Sequence, residues 1–174
     1  MKREEALAFL QECGCSENVI EHCIAVSEKA VTIAQKAQKD HIINVHLVEI
    51  GGLLHDCGRA VSHSIDHGIK GASLLKTRGI NGELQRICER HICAGVPRNV
   101  AEDIGLPPRD FIPVTMEEKI VCHADNMTNH TLEELSSGWM TAFGNHGPTI
   151  VMLLENLYKE LEPYTIVDNA CPHR

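Results

Sequence analysis

The 174-residue chain is 43% hydrophobic and 23% charged, enough apolar matter for the core of one globular domain, which excludes disorder as the default. Aromatics make up only 3%, so the core must come from Leu, Ile, Val, Ala and Cys, a mixture suited to packed helices rather than a β-sandwich. With 16 Lys and Arg against 24 Asp and Glu, the formal charge is −8, which disfavours a long nucleic acid and leaves room for a small anion at a local positive site.

Met1-Lys2-Arg3-Glu4-Glu5 lacks the apolar stretch of a secretory signal. No apolar run approaches the roughly 18 to 20 residues that would span a bilayer. The expectation is a cytoplasmic protein without a membrane partner. Its 8 cysteines then read as reduced thiols. Cys13-Gly14-Cys15 and the pair Cys171 and His173 resemble metal-site fragments, but each lacks a second pair at ligand spacing.

Helical periodicity runs nearly throughout. A first helix covers about residues 3 to 12, with Leu7, Phe9 and Leu10 for packing, and Cys13-Gly14-Cys15 ends it. Ser16 caps a long second helix to about residue 38, whose stripe Val19, His22, Val26, Ala30, Ile33 and Ala37 points His22 inward. Asn44 caps a third helix through Val45, Val48, Gly52 and Asp56, ending near Gly58. Its Gly51-Gly52 pair permits close approach of another helix.

Ser64 or Asp66 caps a fourth helix with inner stripe His67, Gly71, Leu74 and Leu75, stopped by Gly79. A fifth runs from about Glu83 to Cys93 with stripe Leu84, Ile87, Cys88 and His91. Residues 94 to 114 hold 4 of the 7 prolines and read as a loop with one helical turn around Val100 to Ile104. Thr115 to Glu118 form a capping box opening a sixth helix, on which Glu118, Val121, Cys122 and Asp125 share a face. Gly147-Pro148 opens a last helix, 148–162, through Ile150, Leu153, Leu154, Leu157 and Leu161. The expected architecture is all-α: one compact bundle of about seven helices spanning residues 1–174, with a site between helices.

Several of these helices turn ionisable groups inward: His22, the neighbours His55 and Asp56, His67, His91 and Asp125. Burying them is costly unless something compensates, and a divalent cation does so. The oxygen and nitrogen donors suit Mn, Fe, Co, Ni or Zn and disfavour copper(I) or an iron–sulfur cluster. His55 and Asp56 lie about 100° apart around a helix, yet at a helix end both can converge on one ion. No nucleophile elbow, Walker loop or Rossmann glycine pattern supports a different chemistry.

In this arrangement the sequence resembles the HD superfamily of metal-dependent phosphohydrolases (HDIG type), whose signature is a His, a His-Asp pair and a later Asp, all on helices. The matching residues are His22, the run from Leu53 to Arg59 that holds His55-Asp56, and Asp125 within Lys119 to Asn126, covering about residues 16–130. The resemblance implies that His22, His55, Asp56 and Asp125 bind a first metal. His67 and His91 match the additional histidines of two-metal members, which include dinucleoside polyphosphate hydrolases and cyclic-dinucleotide phosphodiesterases, and Asp56 would then bridge. The stretch from Gly105 to Asp125 looks like an uncharacterised archaeal branch.

The implied activity is hydrolysis of a small nucleotide-like phosphoester or phosphoanhydride through metal-bound hydroxide, with one or two ions and Asp56 and Arg59 as catalytic residues. Oligomers are compatible with the reading. Arg59 stands where the family usually has Lys and offers a planar fork for phosphate oxygens. For Lys119, substrate contact and solvated charge both stand; Lys70, Arg90 and Arg98 read as solvated charges. Cys57 replaces the usual Ile or Leu, and Ile92 stands where many two-metal relatives carry another His. His41, His46, His63, His123, His130 and His146 have no motif position and are expected at the surface or behind the ligands. Two alternatives remain: a two-iron oxygenase on the same skeleton, to which the many thiols are ill suited, and a metal-binding regulatory module without turnover.

Overall fold

The computed structural model describes residues 1–165. Within them the chain is helical, in nine α-helices and two short 3-10 turns: α1 (Arg3–Cys13), α2 (Glu17–Ala37), α3 (Val45–Leu54), α4 (His67–Thr77), α5 (Gly82–Arg90), α6 (Arg98–Asp103), α7 (Met116–Asn126), α8 (Leu132–Ala142) and α9 (Gly147–Thr165), with the turns at Cys57–Ala60 and Gly144–His146. The all-α expectation holds. No helix among these residues is long and apolar enough to cross a membrane. Cys171 and His173 lie outside the described residues.

The main core is built by α1, α2, α3, α5, α7 and α9 around Val26, Ala30, Leu53, Ile87, Val121 and Leu154. Gly52 permits the central contact: a Cβ there would meet the Ser27 Cα at 2.6 Å. The two backbones are therefore nearly in contact, and the Ser27 hydroxyl donates to the Glu49 carbonyl at 2.8 Å. A second cluster, around Val96, Val100, Phe111 and Ile150, lies under residues 94–114. This segment is tied down by Phe111 N–H donating to the Val96 carbonyl at 2.9 Å and by the turn of α6.

Several boundaries differ from expectation. The sequence reading missed α8, although Thr131 and Glu134 form a complete capping box. None of its residues is fully buried, so tertiary burial leaves a weak stripe, and Ser136-Ser137-Gly138 weakens the pattern further. At α7 only half of the expected box forms. Thr115 accepts from the Glu118 N–H, while the buried Glu118 carboxylate turns to the Val114 N–H at 2.7 Å and to Arg90 at 2.8 Å. Arg90 is thus a partner of a buried carboxylate rather than a solvated charge. Ser16 stands at the start of α2 without a side-chain cap bond, and α5 stops at Arg90 rather than Cys93, which adopts a left-handed φ of 56°.

Candidate metal centre

The break after α3 separates two neighbouring side chains. His55 is the C-terminal cap of α3 with helical dihedrals. Asp56 leaves the helix at φ −104°, ψ 13°. His55 therefore faces α2 and α7, while Asp56 faces α4 and α5. The following turn is fixed against α4 by Gly58, where a Cβ would strike the His67 carbonyl and the Gly71 N. That contact brings Asp56 and Arg59 beside the first residue of α4, His67.

On one side His22 Nε2 lies 2.9 Å and His55 Nε2 3.5 Å from Asp125 Oδ1. On the other, His67 Nε2 lies 3.1 Å and His91 Nε2 3.5 Å from Asp56 Oδ1, with 3.1 Å between the two imidazole nitrogens. The His55 and His91 ring centroids, 4.9 Å apart, join the halves. Two overlapping groups, His22 with His55 and Asp125 and His55 with Asp56 and His91, hold their donor atoms within 4.8 Å of one another.

Backbone carbonyls set the tautomers. His55, His67 and His91 each place Nδ1 at 2.7 Å from the carbonyl three residues earlier, those of Gly52, Ser64 and Cys88. A carbonyl only accepts, so each Nδ1 carries a proton and each ring turns its Nε2 inward. This is the way outer partners orient metal-binding imidazoles. His55 Nε2 is buried without a hydrogen-bond partner. An orphaned ring nitrogen among carboxylates and other imidazole nitrogens is the donor set of a cation, and the oxygen and nitrogen donors fit a divalent transition ion. The C-terminal ends of α3 and α5 also point here, adding partial negative charge.

The carboxylates are held ionised. Burial opposes charge on Asp56, but hydrogen bonds from His67 and His91 and the charge of His55 outweigh it and keep the carboxyl well below its usual range. Burial likewise opposes charge on Asp125, and His55 and His22 keep it far below. Burial alone would hold His55 neutral, yet the Asp125 carboxylate draws it well above its ordinary value. His91 is pushed down by burial.

Arg59 Nε donates to both Asp56 oxygens at 3.1 and 3.3 Å, and a terminal nitrogen donates to the His63 carbonyl at 3.1 Å. Arg59, His22, Asp56, His67, His91 and Asp125 all border one cavity of about 340 Å³. Lys119 is not brought there: its Nζ pairs with Glu160 at 2.7 Å. His123, expected at the surface or behind the ligands, is fully buried on the opposite face of α7, with Nε2 2.9 Å from the Thr165 hydroxyl. His46, His63 and His130 are exposed. The sequence reading missed the outer wall of the cavity: Thr128, Asn129, His130, Leu135 and Trp139. Cys13 and Cys15 belong to neither donor group, and the seven cysteines among the described residues are free thiols.

A family model described as HD domain matches residues 19–130. An uncharacterized protein of Methanocaldococcus jannaschii is 43% identical over 159 residues, covering 88% of this chain and 94% of that protein. A tRNA (cytidine(56)-2'-O)-methyltransferase of Thermoplasma volcanium is 42% identical over 121 residues, or 70% of this chain, and the match spans only 35% of that enzyme. The fold matches the crystal structure of the HD domain of the L. monocytogenes phosphodiesterase PgpH, also solved in complex with cyclic-di-AMP. The TM-score is 0.52 and the identity 15%, over 91% of this chain and 97% of that one.

Proposed function

The chain belongs to the HD-domain family of metal-dependent phosphohydrolases, and within that family we propose that it hydrolyses a phosphoester or phosphoanhydride of a small nucleotide, using two divalent ions. The observation that carries the reading is the convergence of the inward Nε2 atoms of His55, His67 and His91 on two ionised carboxylates, one of these nitrogens buried without a hydrogen bond. In this proposal His22, His55, Asp56 and Asp125 would hold one ion, and Asp56, His67 and His91 a second. A divalent ion bound there supplies Lewis acidity that activates water and neutralises charge developing on the phosphoryl group.

The chain's own residues do the rest. Three backbone carbonyls hold the imidazoles by Nδ1, so that each Nε2 is already aimed at the place an ion would take. Arg59 orients Asp56 through Nε and presents a planar cation at the cavity for phosphate oxygens. The net charge of −8 favours a small substrate captured locally over a polyanion. The cyclic-di-AMP complex of the PgpH domain and the tRNA-directed name of the Thermoplasma relative both accord with a nucleotide.

The test is metal analysis of freshly purified protein, followed by a phosphatase and phosphodiesterase panel with Mn, Fe, Co, Ni and Zn. Turnover that needs metal and is lost in Asp56→Ala is expected. A protein that binds metal yet turns over nothing across the panel would be a regulatory module instead.

A further inference from the structure

A second cavity of about 470 Å³ adjoins the first, and Arg59, His67, Ile92, Cys93 and Trp139 border both. Its volume is that of a small-molecule site, roughly 300 to 1,000 Å³. Its far wall is apolar and aromatic: Trp139 and Phe143, four residues apart on one side of the α8 segment, face Ile65, Ile92 and Ile104. The exposed side chains of His63 and Ser64 form the rim. Both rings remain half-buried, packed on one side against the second apolar cluster and bordering the cavity on the other.

We propose that this cavity is a nucleobase subsite, in which the substrate's heterocycle stacks on Trp139 and Phe143 while its phosphate reaches Arg59 and the histidine–aspartate centre. The assignment rests on the phosphohydrolase reading and deepens it, naming single nucleotides as the substrate class. Two aromatic faces favour a flat π system. The polar rim suits a ring with hydrogen-bonding edges better than a hydrocarbon chain. The shared border makes the two cavities ends of one elongated site, so one molecule spans both.

Trp139 is the only tryptophan in the chain, so its fluorescence reports this wall without any turnover. Adenosine should quench it saturably, adenosine 5′-monophosphate should do so at lower concentration, and ribose 5-phosphate should leave it unchanged. Phe143→Ala should raise the Kd for adenosine 5′-monophosphate about tenfold, and Phe143→Leu, which keeps apolar volume and the fold, should raise it by a similar factor. Absence of quenching by every nucleoside and nucleotide overturns the subsite. If ribose 5-phosphate is still hydrolysed with added metal, the phosphohydrolase reading survives that failure. Quenching by geranyl phosphate but not by nucleotides overturns it in favour of a hydrocarbon. Quenching with the same Kd in both Phe143 variants removes the base from this wall.

Discussion

His67 and His91 hold their Nε2 atoms 3.1 Å apart, each on a ring whose Nδ1 is bonded to the carbonyl three residues earlier. Two imidazoles so tethered bring both Nε2 atoms against Asp56 Oδ1, at 3.1 and 3.5 Å, an arrangement in which one cation would take all three donors.

Metal stoichiometry follows from this pairing. His67→Ala or His91→Ala should lower bound metal from about two ions per chain toward one, whereas His22→Ala should weaken the other site. Chelation should lower the wild-type Tm, because binding to the folded state alone stabilises it. Elemental analysis and thermal melts decide it; a stoichiometry untouched in all three variants would return these rings to the core.

Arg59 is coupled to Asp56 as well as to the cavity, so its loss has two effects. Arg59→Ala should lower kcat/KM tenfold to a hundredfold, since charge-assisted bonds are worth about 1.5–3 kcal/mol each. Because Nε also orients Asp56, metal affinity should fall slightly. Arg59→Lys should recover phosphate affinity but only part of the orientation. A kinetically silent Arg59→Ala would leave the residue as a structural partner of Asp56 alone.

Gly58 should tolerate no side chain. A Cβ there collides with the His67 carbonyl and the Gly71 N, backbone atoms that cannot swing aside, so Gly58→Ala should cost about 2–4 kcal/mol in urea unfolding. It should also displace His67 and lower occupancy of the site it shares with His91. Wild-type stability in that variant would mean that α4 shifts freely.

His123 gives the protein an acid-sensitive element. Burial, and secondarily the charge of Lys29, push its pKa down to about 4 from the ordinary 6.5. The unfolded chain takes up the proton first, so the stability contributed by the neutral ring is full above about pH 6.5 and lost progressively as the pH falls through 4. The shift corresponds to something on the order of 3 kcal/mol. His123→Phe should flatten this limb of the stability–pH curve, measured by urea unfolding with chelator present. A wild-type-minus-variant difference that stays constant from pH 7 to 4 would remove the ring from the acid response.

The inward residues were legible because their helices bury one face. The periodicity that places Val26 and Ala30 also places His22, and the Thr115 start of α7 fixes the face of Asp125. The sites of Lys119 and His123 were not legible for a related reason. Lys119 sits six residues before Asp125, some 240° around the helix, so membership in the same motif brings it no nearer. His123 does point away from Asp125, but α7 packs against α2, α3, α5 and α9, so its reverse face is buried too. Sequence spacing gives direction around an axis, not what waits there. The same limit hid α8, whose apolar residues Leu132, Leu135 and Trp139 touch the core only partly buried, two of them also bordering the cavity.

That position of α8 sets a hierarchy of motion. The helix rests chiefly on α9 and has no fully buried residue, so little apolar surface opposes its detachment. Its amides should exchange with solvent through small local openings, while those of α2, α3 and α7 exchange only near global unfolding. The wall bearing Trp139 is therefore the softest face of a rigid ligand cluster. An occupant gripping both would slow exchange in α8 by an amount that reports its own affinity.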